Sequence, residues 1–184
     1  MSDPSSIRGQ YERLGVTDFY ARHGDTYANP HEPALREVIR AAVERWRPDL
    51  SGVLDLACGS GEATLALRDL GAAHIDGLDP YTGAAYLART GHPAEPLTFA
   101  DVSAGALSGR RYSLVVCSFA LHLAEPSRLP GIAWALAQVA PALLILTPHK
   151  RPVLRPEWGW RLSAEFVQDR IRARLYETAV ISDP

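Results

Sequence analysis

The chain predicts an α/β fold: a doubly wound, mostly parallel seven-stranded sheet with helices on both faces and an antiparallel C-terminal hairpin. Three observations predict it. Short apolar runs without alternation, at 53–56, 112–117 and 142–146, read as strands covered on both faces. Segments with helical periodicity separate them. After position 160 the periodicity switches to two, as in antiparallel strands.

The elements follow in order. Pro33 suits the first position of a helix over 33–46. Leu35, Val38, Ile39, Ala42, Val43 and Trp46 recur at three- and four-residue steps and form its apolar face, and Pro48 ends it. Strand 53–56 runs into a turn flanked by Gly59 and Gly61, then into a helix over 62–70 closed by Gly71. Strand 73–78 ends at Asp79-Pro80, and a helix over 81–90 is closed by Gly91. A third strand is expected over 97–100, ending at Asp101, with a turn-rich connection over 102–109. Strand 112–117, a loop over 118–125, a helix over 127–140 and strand 142–146 complete the parallel part. Pro148, Pro152 and Pro156 oppose a helix in the next segment. Trp160, Leu162, Ala164 and Phe166 alternate, as do Ile171, Ala173 and Leu175, which places a hairpin around 168–170; a helix over 163–174 competes.

Residues 1–30 contain Tyr11, Phe19, Tyr20 and Tyr27 and form an N-terminal arm or lid ahead of a single domain over 31–184. The 184 residues are 47% apolar and 22% charged, with a formal net charge of −2, so no basic surplus favours nucleic acid or an anionic membrane. Neither a membrane-spanning run nor an apolar signal-peptide core is present, which points to a cytoplasmic protein. Cys58 and Cys117 are two small buried fillers rather than a disulfide or metal framework, and no metal is expected.

In such a sheet the carboxyl ends of the strands share one rim, where ligands bind. Asp55, Gly59, Gly61, Asp79, Asp101, Ser118, His122 and His149 all fall at predicted strand ends. Asp79 lies 20 positions beyond Gly59, the spacing at which a carboxylate takes the hydroxyls of an adenosine ribose. A dinucleotide-binding turn requires a third glycine, yet Thr64 stands in its place. Asp55 and Glu62 add negative charge that opposes a diphosphate and attracts a cation. Each acid also has a plain structural reading: Asp55 as a polar anchor, Asp79 as a turn former, Asp101 as a helix cap.

The run Val53-Leu54-Asp55-Leu56-Ala57-Cys58-Gly59-Ser60-Gly61-Glu62-Ala63-Thr64 resembles the first motif of class I S-adenosylmethionine-dependent methyltransferases. Gly77-Leu78-Asp79-Pro80, Phe99-Ala100-Asp101-Val102 and 112–123 resemble that family's second, adenine-binding and fourth-strand motifs, in the family's order. The resemblance implies S-adenosylmethionine as cofactor. It sets the backbone of Ala57, Gly59 and Gly61 against the methionine part and Asp55 near its ammonium. Asp79, with Pro80 after it, takes the ribose, and Asp101 and Val102 take the adenine. Ser118 and Phe119 border the methyl group, and Tyr27 closes over the cofactor.

His122 and His149 follow the fourth and fifth strands and are the candidates for a base or acceptor-orienting group. A histidine also suits proton uptake near neutral pH. The fourth-strand motif lacks Asp-Pro-Pro-Tyr or Asn-Pro-Pro-Tyr, which disfavours nucleobase amines and glutamine amides as acceptors. The reading is a methyltransferase for a small, partly apolar acceptor with an O, N or S nucleophile. Its pocket is shallow or is completed by the arm, a second copy or a partner subunit. Three alternatives stand: a nicotinamide oxidoreductase, a non-catalytic partner subunit, and a methyltransferase for RNA or protein. The last predicts a basic patch around Arg151 and Arg155.

Overall fold

The computed structural model describes residues 31–179. Helix α1 spans Glu32–Trp46, with Pro33 in its first turn and Leu35, Val38, Ile39 and Ala42 fully buried along one stripe. Strand β1 (Val53–Leu56) is followed by α2 (Glu62–Asp69), β2 (Ile75–Leu78), α3 (Gly83–Thr90), β3 (Ala94–Glu95) and α4 (Phe99–Ser103). Then come β4 (Leu114–Ser118), a 3₁₀ turn at Leu121–Leu123, α5 (Leu129–Ala137) and β5 (Ala142–Thr147). A second 3₁₀ turn (Pro156–Trp158) leads into the hairpin of β6 (Trp160–Gln168) and β7 (Ile171–Thr178). The arm over 1–30, with Tyr27, lies outside the described residues.

The seven strands form one sheet in the order β3-β2-β1-β4-β5-β7-β6. The first five are mutually parallel, and β7 runs antiparallel to both β5 and β6. Strands β1, β4 and β5 are buried almost throughout, because apolar layers cover both faces. One layer joins α1 and α2 to the sheet through Leu35, Ile39, Leu67, Val116 and Leu146. The other joins α4 and α5 through Val102, Ile132, Leu136, Trp160 and Tyr176. The Trp160 indole N–H donates to the Ala133 carbonyl at 2.7 Å, so this buried aromatic meets its polar requirement inside the core. No helix among the described residues is long and apolar enough to cross a membrane.

One predicted element is displaced. Residues 97–100 are not a strand. Strand β3 lies earlier, at Ala94–Glu95, and pairs with Gly77 and Leu78 of β2. Pro96 lacks the N–H needed to continue the ladder. Thr98 then caps α4 through a capping box: its hydroxyl accepts from the Asp101 N–H, and the Asp101 carboxylate accepts from the Thr98 N–H. The short edge strand is held by Arg110, which donates to both oxygens of Glu95 at 2.6 and 2.8 Å. The C-terminal hairpin forms as expected, with Asp169 and Arg170 at its tip in the left-handed region (φ 52° and 64°).

Candidate active site

The strand order reverses between β1 and β4, and a cavity of about 420 Å³ opens beyond their carboxyl ends. Leu56–Gly59 and Glu62 form its floor, Asp79, Pro80 and Tyr81 one side, and Leu97–Ala100 another. Ser118, Phe119, Ala120, Leu123, Ala124, Glu125 and Arg128 close it. Among the described residues, five other than glycine have positive φ. Arg47 caps α1 and Asp169 and Arg170 form the hairpin tip. The other two, Ala57 (φ 57°) and Phe119 (φ 55°), both line the cavity. Among the described residues, positive φ at non-glycine positions outside turns and caps is thus confined to this wall.

The turn after β1 is fixed from β2. Asp79 Oδ2 accepts from the Gly59 N–H at 3.2 Å, while Oδ1 accepts from the N–H groups of Tyr81 and Thr82 at 2.8 and 3.1 Å. Thr82 Oγ1 donates back to the Gly59 carbonyl at 2.6 Å. Asp79 therefore serves as turn former and cavity wall together, and its two oxygens retain acceptor capacity toward the cavity. Glu62, only 4% exposed, accepts from Ser60 Oγ at 2.6 Å and faces Arg89 at 3.6 Å. Gly61 does not line the cavity. It is the N-cap of α2, and a side chain there would meet Thr90 at 2.5 Å, so its role is helix packing.

Asp55 lies beneath the turn and does not reach the wall. It is fully buried; Oδ2 accepts from Thr64 Oγ1 at 2.7 Å, and the Tyr86 hydroxyl lies 3.0 Å from the same Thr64 oxygen. Oδ1 has no partner among the described residues. Burial pushes the Asp55 carboxyl up to about 7, with Glu62 and Asp79 adding to the rise. Cys58 and Cys117 are buried and free, and burial raises both thiols.

Asp101 and Val102 also stand off the cavity. Both bonds that Asp101 Oδ2 accepts come from Thr98, and Val102 is buried in the core. The wall at this end is Leu97, Thr98, Phe99 and Ala100 instead. Ser118 and Phe119 do line the cavity, and the His31 ring stacks on Phe119 with centroids 5.8 Å apart.

His122 and His149 come together just beyond that wall, with ring centroids 4.2 Å apart. His122 sits in the 3₁₀ turn between the cavity-lining Ala120 and Leu123, and its buried Nδ1 has no partner among the described residues. His149 is exposed, and its N–H donates to Thr147 Oγ1 at 3.1 Å. Burial, and then His149, depress His122 to about 4. A ring lowered this far is neutral near pH 7.

A family model described as "Methyltransferase domain" matches residues 53–141, the span that builds this cavity. Residues 53–141 thus form a methyltransferase domain, and the chain has the fold of the class I S-adenosylmethionine-dependent methyltransferases. An uncharacterized protein of Schizosaccharomyces pombe is 32% identical over 235 residues, covering 98% of this chain and 95% of its own. Magnesium protoporphyrin IX methyltransferase from Synechocystis PCC 6803, solved with bound S-adenosylmethionine, has a TM-score of 0.56 at 19% identity and covers 96% of both chains. A ribosomal-protein methylase from Lactobacillus delbrueckii subsp. bulgaricus has a TM-score of 0.55 at 17% identity, covering 83% of this chain and 80% of its own. At these identities the likeness to the two structures is one of fold. Their named acceptors, a porphyrin and a ribosomal protein, have nothing in common that the fold alone would select.

Sequence reasoning missed the apolar part of this methyltransferase wall: Tyr81, Leu97, Phe99, Leu123 and Ala124. Each lies within a few positions of a strand's carboxyl end, the signal that would have found it. Reading 97–100 as a strand hid two of them.

Proposed function

We propose that the protein transfers a methyl group from S-adenosylmethionine to a small-molecule acceptor through an oxygen, nitrogen or sulfur nucleophile. The observation that carries the reading is the charge of the cavity wall. Glu62, Asp79 and Glu125 outnumber Arg128, which is itself paired with Glu125 at 2.9 Å. Such a wall suits a cationic adenosyl ligand and repels a diphosphate or a polyanionic acceptor entering the cavity.

The residues divide the work. Asp79 accepts the ribose hydroxyls. The turn backbone at Ala57 and Gly59 lies along the methionine part, with Glu62 supplying negative charge. Leu97–Ala100 take the adenine, replacing Asp101 and Val102 as its contacts. Asp55 stabilises the turn from below. The bound cofactor supplies an activated methyl group. Ser118 and Phe119 border the place where the acceptor meets it, and alignment there lowers the barrier. His122, in the turn that closes the cavity and with His149 on its solvent side, is the group assigned to orient the nucleophile. A neutral ring of this kind orients an acceptor strongly and takes a proton only from a nucleophile that has become acidic in the transition state.

A second reading, an RNA or protein acceptor, is favoured by one feature. Lys150 and Arg151 follow β5 and have no carboxylate partner among the described residues, whereas Arg155, the other residue expected in a basic patch, faces Glu157 at 3.6 Å. Calorimetry with S-adenosylhomocysteine and NADH tests the cofactor: binding of the first and not the second is expected, and the reverse result overturns the reading. Electrophoretic shift with an RNA homopolymer at low and high salt tests the second reading, which requires salt-sensitive binding.

A further inference from the structure

The segment between β5 and the second 3₁₀ turn is held in an unusual way. Residues 148–154 make no backbone–backbone hydrogen bond to any described residue. Side chains hold their backbone instead. Thr147 Oγ1 accepts from the His149 N–H, and the Tyr176 hydroxyl accepts from the Leu154 N–H at 3.3 Å. Between these two points lies Arg174, only 5% exposed. It donates to the Lys150 carbonyl at 2.8 Å, to the Pro152 carbonyl at 2.7 Å and to Glu165 Oε2 at 2.5 Å. Three separate N–H groups of one planar guanidinium are used, a pattern that no other side chain reproduces.

The sheet is built to allow this. Strand β6 shifts register between Leu162 and Ala164, so that Glu165 stands directly opposite Arg174. Continuing the register of Leu162↔Tyr176 without the shift would bring Ala164 opposite Arg174 and turn Glu165 to the other face. The bulge re-aims a carboxylate at the arginine. The other oxygen of Glu165 accepts from Arg172 at 2.5 Å, so this carboxylate of β6 bridges two arginines of β7.

We propose that Arg174, anchored by Glu165, is a positioning residue: it fixes the segment after β5 so that the His149 ring stands against His122. This rests on the reading of His122 as the group facing the acceptor. Arg174 touches neither the cavity nor the histidines. It acts through the carbonyls of Lys150 and Pro152, and it replaces the helix that the three prolines of this segment exclude.

The test follows the two rings by NMR in Arg174→Met, with Arg172→Met as control. Methionine fills the arginine's place without donating, and Glu165 keeps Arg172 as a partner. The wild type is expected to show cross-ring contacts between His122 and His149 and a His122 titration midpoint near 4. In Arg174→Met the contacts vanish and the midpoint rises, because the charge of His149 no longer adds to the lowering. Arg172→Met, which removes the other arm of this bridge without freeing the segment, changes neither. Rings that stay together in folded Arg174→Met overturn the proposal, as does their separation in Arg172→Met. Should Arg174→Met not fold, Glu165→Gln carries the test: it weakens the anchor and must also part the rings, and unchanged rings overturn the proposal. Calorimetry with S-adenosylhomocysteine separates the two levels. A wild type that binds none fails the methyltransferase reading and leaves the ring result standing on its own.

Discussion

Asp55 and His122 titrate in opposite senses, and their effects on stability run against each other between about pH 4 and 7. Asp55 is raised to about 7 in the folded protein, above its ordinary 3.8. The folded state therefore holds a proton that the unfolded chain has released. The stabilisation is full below the unfolded value and is lost as pH rises through about 7. His122 is lowered from 6.5 to about 4. The unfolded chain there holds the proton, so the stability it contributes is present above 6.5 and is lost as pH falls toward about 4. In the wild type the two slopes partly cancel. Urea midpoints across this range are expected to rise with pH in Asp55→Asn and to fall with pH in His122→Gln. For the fully buried Asp55 the swing is on the order of a few kcal/mol. Parallel profiles for all three proteins would remove the buried carboxylic acid from the account. At Ala57 the prediction concerns strain. Glycine is free at φ 57°, so Ala57→Gly is expected to gain about 1 kcal/mol in urea unfolding while S-adenosylhomocysteine affinity holds.

Helix α4 ties local structure to the site most directly. It has five residues, begins at a capping box, and its first two residues line the cavity. Removing the cap in Thr98→Ala is expected to cost about 1 kcal/mol in stability. It also weakens S-adenosylhomocysteine binding, because Phe99 and Ala100 lose their fixed entry angle; calorimetry on the folded variant reads this directly. This element also shows where the sequence was legible and where it was not. Strand β1, its turn and the hairpin were readable because each carries an apolar run or alternation several residues long. Strand β3 has two residues, neither of them large and apolar, and carries no periodic signal at all. The run Leu97-Thr98-Phe99-Ala100 looks like a strand because two of its large residues are apolar, yet that apolar character faces a ligand cavity. The three-residue spacing of Thr98 and Asp101, which fits a capping box, would have been the better guide. The contact between His122 and His149 was invisible for a different reason: it depends on Arg174, 25 positions after His149, and on a one-residue bulge in β6.

At the scale of the whole molecule, the cavity wall draws on β1, α2, the loop after β2, α4, β4 and the turn after β4, so it spans elements packed in both apolar layers. A ligand that bridges these walls binds only the folded state and must raise global stability by mass action. At a concentration about 100 times its dissociation constant, S-adenosylhomocysteine is expected to contribute about 2.7 kcal/mol. For a chain of this size that corresponds to a rise in melting temperature of roughly 5–10 °C. Asp79→Ala changes both terms. Three backbone N–H groups lose their acceptor and the turn at Gly59 loosens, so the ligand-free protein melts lower. The ribose loses its carboxylate, so the ligand-induced rise shrinks as well. Scanning calorimetry with and without S-adenosylhomocysteine separates the two losses. An Asp79→Ala protein that melts lower yet keeps the full ligand-induced rise would leave this residue as a turn former alone, with the ribose held elsewhere on the wall.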